Sequence, residues 1–164
     1  MIVVSDTTPL ISLLKIGRID LFERLFSTVH IPQGVFDELC ANQNFLDEAE
    51  QIRDCPFIHI HDVNAQAVKL LQKATKLDLG ESEAIVLADT INADLTILDD
   101  GKARRVAELE GMAITGTIGV LGKAFKSGFI SSDEIKQCVE ILRTNGRYFS
   151  ENLLKYLLDL ASRS

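Results

Sequence analysis

Two rhythms of apolar and polar positions run through the chain. Short β-branched runs, "IVVS" (2–5), "VHI" (29–31), "FIHIHDV" (57–63), "LTIL" (95–98) and "MAIT" (112–115), read as strands. Between them apolar residues recur at helical spacing. "TPLISLLKIG" predicts a helix with Thr8 as N-cap and Pro9 at the first helical position. "IDLFERLF" (19–26), "QGVFDELCAN" after Pro32, "LDEAEQIRD" (46–54), "NAQAVKLLQKAT" (64–75), "GESEAIVLADTIN" (80–92) and "KARRVAELEG" (102–111) predict further helices. Beyond residue 116 the pattern is helical only, over about 117–127, 131–143 and 150–162.

Strands that alternate with helices need crossover connections, which implies a parallel sheet covered on both faces. Ligand sites in such sheets lie outside the carboxyl ends of the strands. This chain keeps acids there: Asp6 follows "IVVS", and the adjacent Asp99 and Asp100 follow "LTIL". No repeat or Pro/Gly/Ser-rich linker interrupts the run, so one domain over 1–164 is expected, with a core of about 1–130 and a helical extension over 131–164.

Charge sharpens this picture. The net charge is −7, but residues 1–100 hold 7 Lys+Arg against 17 Asp+Glu, while 101–164 hold 10 against 7. The net charge therefore argues against a nucleic-acid binder working by bulk positive field. No apolar stretch approaches the ~20 residues that span a bilayer, and the N-terminal run lacks the basic region of a secretory leader. Cys40, Cys55 and Cys138 show no C-x-x-C spacing and read as reduced thiols, so a cytoplasmic protein with no membrane partner is expected.

Each acid has an ordinary explanation. Asp6 suits a turn, and Glu38 suits the solvated edge of its helix. Glu81 completes a near capping box with Asp78. Glu83 is harder to dismiss, because its helical neighbours are Val86 and Leu87 within "AIVLA". Asp99 and Asp100 together exceed what one helix cap needs, and Lys102, Arg104 and Arg105 crowd a first turn where the helix dipole disfavours cations. Converging carboxylates repel or take up protons, and hard divalent cations such as Mg2+ or Mn2+ relieve that repulsion. Metal-assisted attack of water on a phosphodiester then becomes available. His59 and His61 share a strand face as H-x-H, for which an exposed face is a simpler reading than a ligand pair. "GTIGVLG" (116–122) lacks a phosphate-loop Lys and reads as tight packing.

The segments "VVSDTTPLISLLKIG", "IPQGVFDEL", "LDLGESEAIVLAD" and "LTILDDGKARRVAELEGMAITGTIGVLGKAFKSGFI" occur in this order over most of residues 1–130. They resemble the PIN-domain superfamily, and within it an uncharacterised toxin-like branch related to the VapC-type toxins. The resemblance implies a three-layer α/β/α sandwich with a central parallel sheet. It also implies an acidic pocket for Mg2+ or Mn2+ and endoribonuclease activity on single-stranded RNA. A small antitoxin protein is the implied partner. For the last helices, packing on the chain's own core is the simpler reading and a homodimer or antitoxin surface the sharper one.

Residue by residue, the family's first acid matches Asp6, the acid after the second strand Glu38, and the strand-end acid Asp100 or Asp99. The hydroxyl after the first acid matches Thr7 or Thr8. The third acid, usually Asp, falls on Glu83, whose extra methylene moves the carboxylate by ~1.5 Å and bears on metal number. The expected catalytic set is thus Asp6, Glu38, Glu83 and Asp100. Glu81 and Asp99 are further metal candidates, and Thr7, Thr8, Lys102, Arg104 and Arg105 are candidates for substrate phosphate. The rival expectation is a PIN-like module, weak or inactive as a catalyst, that binds protein or nucleic acid. A phosphotransferase ranks last, because "SDTTPL" lacks the second Asp of a D-x-D nucleophile motif.

Overall fold

β1 (Val3–Ser5) is wholly buried, and its side chains divide between two layers: Val3 belongs to one apolar cluster, Val4 to another. A computed structural model describes residues 1–144 and 149–163. In it β1 is central to a five-stranded parallel sheet of order β3-β2-β1-β4-β5, with β2 at Val29–Pro32, β3 at Ile58–His61, β4 at Leu95–Ile97 and β5 at Ile114–Thr115. The chain builds outward from β1 to β3, then returns to lay β4 against the other side of β1. The β1/β4 boundary is therefore the switch point, where such sheets open a crevice.

Helices cover both faces. α5 (Ala65–Thr75), α6 (Leu79–Thr90) and α7 (Gly101–Leu109) bury Leu77, Ala84, Leu87, Leu98 and Ala103 against the Val4 side. α1 (Thr7–Lys15), α2 (Asp20–Phe26), α3 (Gln33–Ala41), α4 (Leu46–Arg53), α8 (Thr117–Lys126), α9 (Ser132–Thr144) and α10 (Glu151–Ser162) supply the larger cluster on the Val3 side. The α/β/α architecture expected from the alternation is present. The last two helices pack on this core through Ile135, Val139, Leu142, Leu154 and Leu157, and Arg18 ties α9 inward by pairing with Glu134 and Asp20. Leu153 and Tyr156 stay exposed on α10. Among the described residues no helix is long and apolar enough to cross a membrane.

Local boundaries differ from expectation in several places. α1 begins at Thr7 with Asp6 as N-cap, so Thr8 is inside the helix and Pro9 is its third residue. Proline is tolerated there for the same reason as at the first position, because the first four N–H groups have no intrahelical partner. A 3-10 turn at Gln43–Phe45, capped by Asn42, precedes α4 and has no apolar periodicity to announce it. The third and fifth strands are shorter than the apolar runs that foretold them.

Candidate active site

The N–H of Asp6 donates to Ile97 O at 3.1 Å, so the ends of β1 and β4 are locked side by side and their trailing acids share one opening. A cleft of about 550 Å3 lies over that end of the sheet. Asp6, Glu38, Asp78, Glu81, Asp99 and Asp100 line it, together with Thr7, Thr8 and Asn42. Asp6 is only 6% exposed and, although it occupies the N-cap of α1, its side chain makes no capping bond. It accepts from the Thr7 N–H and lines the cleft. Burial, reinforced by Asp78, Glu81 and Glu38, pushes its carboxyl up to about 8 against a lowering bond from the Thr7 N–H.

Glu38 arrives from α3, and its Oε2 accepts a 2.7 Å hydrogen bond from Thr7 Oγ1. The first turn of α6 closes the same side. A Cβ on Gly80 would lie 3.2 Å from Glu38 Oε2, 3.4 Å from Asp6 Oδ1 and 3.5 Å from Thr7 Oγ1, so three oxygens converge on a space that the missing side chain leaves open. Asp78 and Glu81 complete a capping box: Glu81 N donates to Asp78 Oδ1 at 2.8 Å, and Asp78 N to Glu81 Oε1 at 3.2 Å. Burial first, then the nearby Asp78 and Asp100 carboxyls, hold Glu81 up at about 7. Glu81 is thus both cap and wall of the cleft. Asp78, read from the sequence as a cap alone, is a wall as well; nothing in a capping motif signals that its outer face borders a site.

The strand-end pair divides its work. Asp100 caps α7, its Oδ2 accepting from Ala103 N at 3.0 Å. Asp99 turns toward α8, accepting from Thr117 N at 2.8 Å and Thr117 Oγ1 at 2.6 Å. Its burial raises its pKa, opposed by those bonds and by Arg104. A Cβ on Gly116 would sit 2.6 Å from Asp99 Oδ1 and 2.9 Å from Arg104 Nη1, so glycine is what lets α8 approach this closely. That is the tight packing expected of "GTIGVLG".

Glu83 is not brought to the cleft. It is buried, and its Oε2 accepts from Gly34 N at 2.9 Å, at the opening of α3. Orphan N–H groups and the positive end of the helix dipole attract a carboxylate there. The partner demanded by its apolar surroundings is thus a helix terminus, and Glu83 does not line the cleft with the other acids of the expected catalytic set. Arg104 is likewise engaged, donating to Leu98 O at 3.0 Å, whereas Lys102 and Arg105 are exposed on α7. His61, read as half of an exposed H-x-H, contacts His30 of β2 instead.

In donor type the cleft fits a hard divalent cation. Its carboxylates and hydroxyls are all oxygen ligands, burial reinforced by neighbouring carboxylates raises the pKa of Asp6 and Glu81, and the Gly80 opening leaves room among three of them. Among the described residues no group of three or more histidine, cysteine or acidic side chains forms a ready-made cage.

An acidic cleft at the switch point of a five-stranded parallel sheet, with helices on both faces, is consistent with a PIN domain. The chain belongs to the DUF3368 family, described as a PIN domain, whose family model matches residues 2–163. The match takes in α9 and α10, which lie beyond the resemblance visible in the sequence. No curated protein matches the chain. PIN domains are generally nucleases and typically use divalent metals.

Proposed function

We propose that the protein is an endoribonuclease that cuts single-stranded RNA with Mg2+ or Mn2+, acting as the toxin of a toxin–antitoxin pair. The observation that carries this reading is the gathering of Asp6, Glu38, Glu81 and Asp100 in one cleft over β1 and β4. Asp6, Glu38 and Asp100 would hold the cation, with Glu81 and Asp99 at its margin. Bound there, the cation would supply a Lewis acid for phosphodiester hydrolysis. Thr7 fixes the Glu38 carboxylate, Asp6 would have to be ionised to hold the cation, and Asp99 anchors the α8 side of the cleft. Lys102 and Arg105 are free to meet phosphate, and Thr8 lines the entrance. Because the cleft repels RNA by itself, metal and the basic C-terminal part would have to supply the positive field, so binding should depend strongly on salt. A small antitoxin protein is the expected partner, with exposed Leu153 and Tyr156 on α10 as its landing place or that of a second copy.

The test is a Mg2+ and Mn2+ titration with labelled single-stranded RNA, using wild type freed of any co-purified protein, Asp6→Asn and Asp100→Asn. Cation-dependent cleavage that falls at least a hundredfold in either variant supports the enzyme. A folded wild type that never cleaves favours the binding module.

A further inference from the structure

We propose that His30, His59 and His61 form a second metal site, for a borderline transition cation such as Zn2+, Ni2+ or Cu2+. These are all the histidines of the chain, and the fold brings them together from two strands. His30 pairs in register with His59, and Pro32 with His61. Val29 and Ile31 face the larger cluster, as does Ile58, so the three imidazoles lie on the opposite face of the sheet, at its β3 edge. His30 Nδ1 is 2.6 Å from His61 Nε2, and the His30 ring centroid is 4.8 Å from that of His61 and 5.4 Å from that of His59.

Imidazole nitrogen suits these cations, whereas the oxygen-lined cleft suits Mg2+ or Mn2+, so the two places select different metals. Ligand bonds of about 2.0–2.1 Å in a tetrahedron place two nitrogens about 3.3 Å apart. His30 Nδ1 and His61 Nε2 need to part by only about 0.7 Å to reach that spacing, a small side-chain rotation on an open sheet edge. The proton now shared between them moves to the far nitrogen of its own ring, so no net charge is lost. The three rings are not yet closed around one point, and the exposed His59 must swing in as third ligand, with water completing the shell. A cation held there would clamp β3 to β2 beside Pro32, the residue that opens α3 and therefore positions Glu38.

Untagged protein titrated with Cu2+ and read by electron paramagnetic resonance should show one site with coupling to two or three nitrogens. Zn2+ and Ni2+ should compete for it. His30→Ala or His61→Ala should weaken binding at least tenfold and His59→Gln severalfold, whereas Asp6→Asn leaves it unchanged. Circular dichroism checks each fold; the half-exposed His61→Gln carries the test if His30→Ala does not fold. Absence of nitrogen coupling, or an affinity indifferent to His61→Gln, overturns the proposal.

Discussion

Thr7 Oγ1 donates to Glu38 Oε2 across 2.7 Å, which couples the first residue of α1 to the middle of α3. The bond fixes a carboxylate that is otherwise exposed on its helix, beside the more buried Asp6. Thr7→Val keeps the shape and removes the donor. Stability should fall by about 1 kcal/mol, while cleavage falls at least tenfold. Thr7→Ser should restore most of it. Urea denaturation and single-turnover cleavage measure the two effects, and equal activity in Thr7→Val would remove Glu38 positioning from the mechanism.

Gly80 guards the space between Glu38, Asp6 and Thr7. Gly80→Ala places a methyl at ordinary to tight contact distance from all three oxygens, and alanine favours the helix. Folding should therefore be nearly unaffected, with Mg2+ or Mn2+ affinity reduced at least severalfold by calorimetry. An unchanged affinity would mean that the cation sits elsewhere in the cleft.

Glu83 and Gly34 make a different kind of pair. A Cβ on Gly34 would fall 2.1 Å from Glu83 Oε2, so Gly34→Ala must expel the carboxylate from the start of α3. A loss of about 1–3 kcal/mol is expected in denaturant titration. Glu83→Gln keeps an acceptor and should cost less, with divalent-cation affinity within twofold of wild type. A collapse of that affinity would return Glu83 to the metal site.

The acidic cleft should make the cation-free protein lose stability as pH rises. Asp6 ordinarily titrates at 3.8 but is held near 8 in the fold. Between those values the folded carboxyl keeps a proton that the unfolded one has lost. Fewer protons bound on unfolding means that stability decreases with increasing pH across this window and is constant below it. Glu81, held near 7 rather than 4.5, acts in the same direction over its narrower range. In chelator, unfolding free energy should drop by on the order of a few kcal/mol from pH 5 to pH 8. Asp6→Asn should flatten most of that slope. A wild type whose stability is level or rising over this range would contradict the protonated cleft.

Much of the fold is legible because its signals are local. Pro32 opens α3, Asn64 caps α5 and Asp78 caps α6, each by rules that act within four residues. The acids after β1 and β4 stand out for the same reason, since strand ends advertise themselves. What escaped depends on long-range pairing. Glu83 gave away its need for a partner, but Gly34, 49 residues distant, could be named only from the packing of α6 against α3. His30 carries no sign of His59 and His61 until β2 and β3 are placed in register. α1 starts at Thr7, ahead of the start that a Thr8 cap predicts, and the long-range bond from Asp6 N to Ile97 O that fixes the preceding residue has no local signal.

The pairing of β1 with β4 has a consequence for how the chain comes into being. Ile2 N reaches Asp94, 92 positions further on, and Asp6 N reaches Ile97. A ribosome therefore releases the first acid long before the strand that must lie beside it has been synthesised. Asp99 gains its two Thr117 donors later still. A product that ends between Asp100 and Thr117 carries all the cleft's acids but lacks the two donors that hold Asp99, so the cleft is completed only once most of the chain is made.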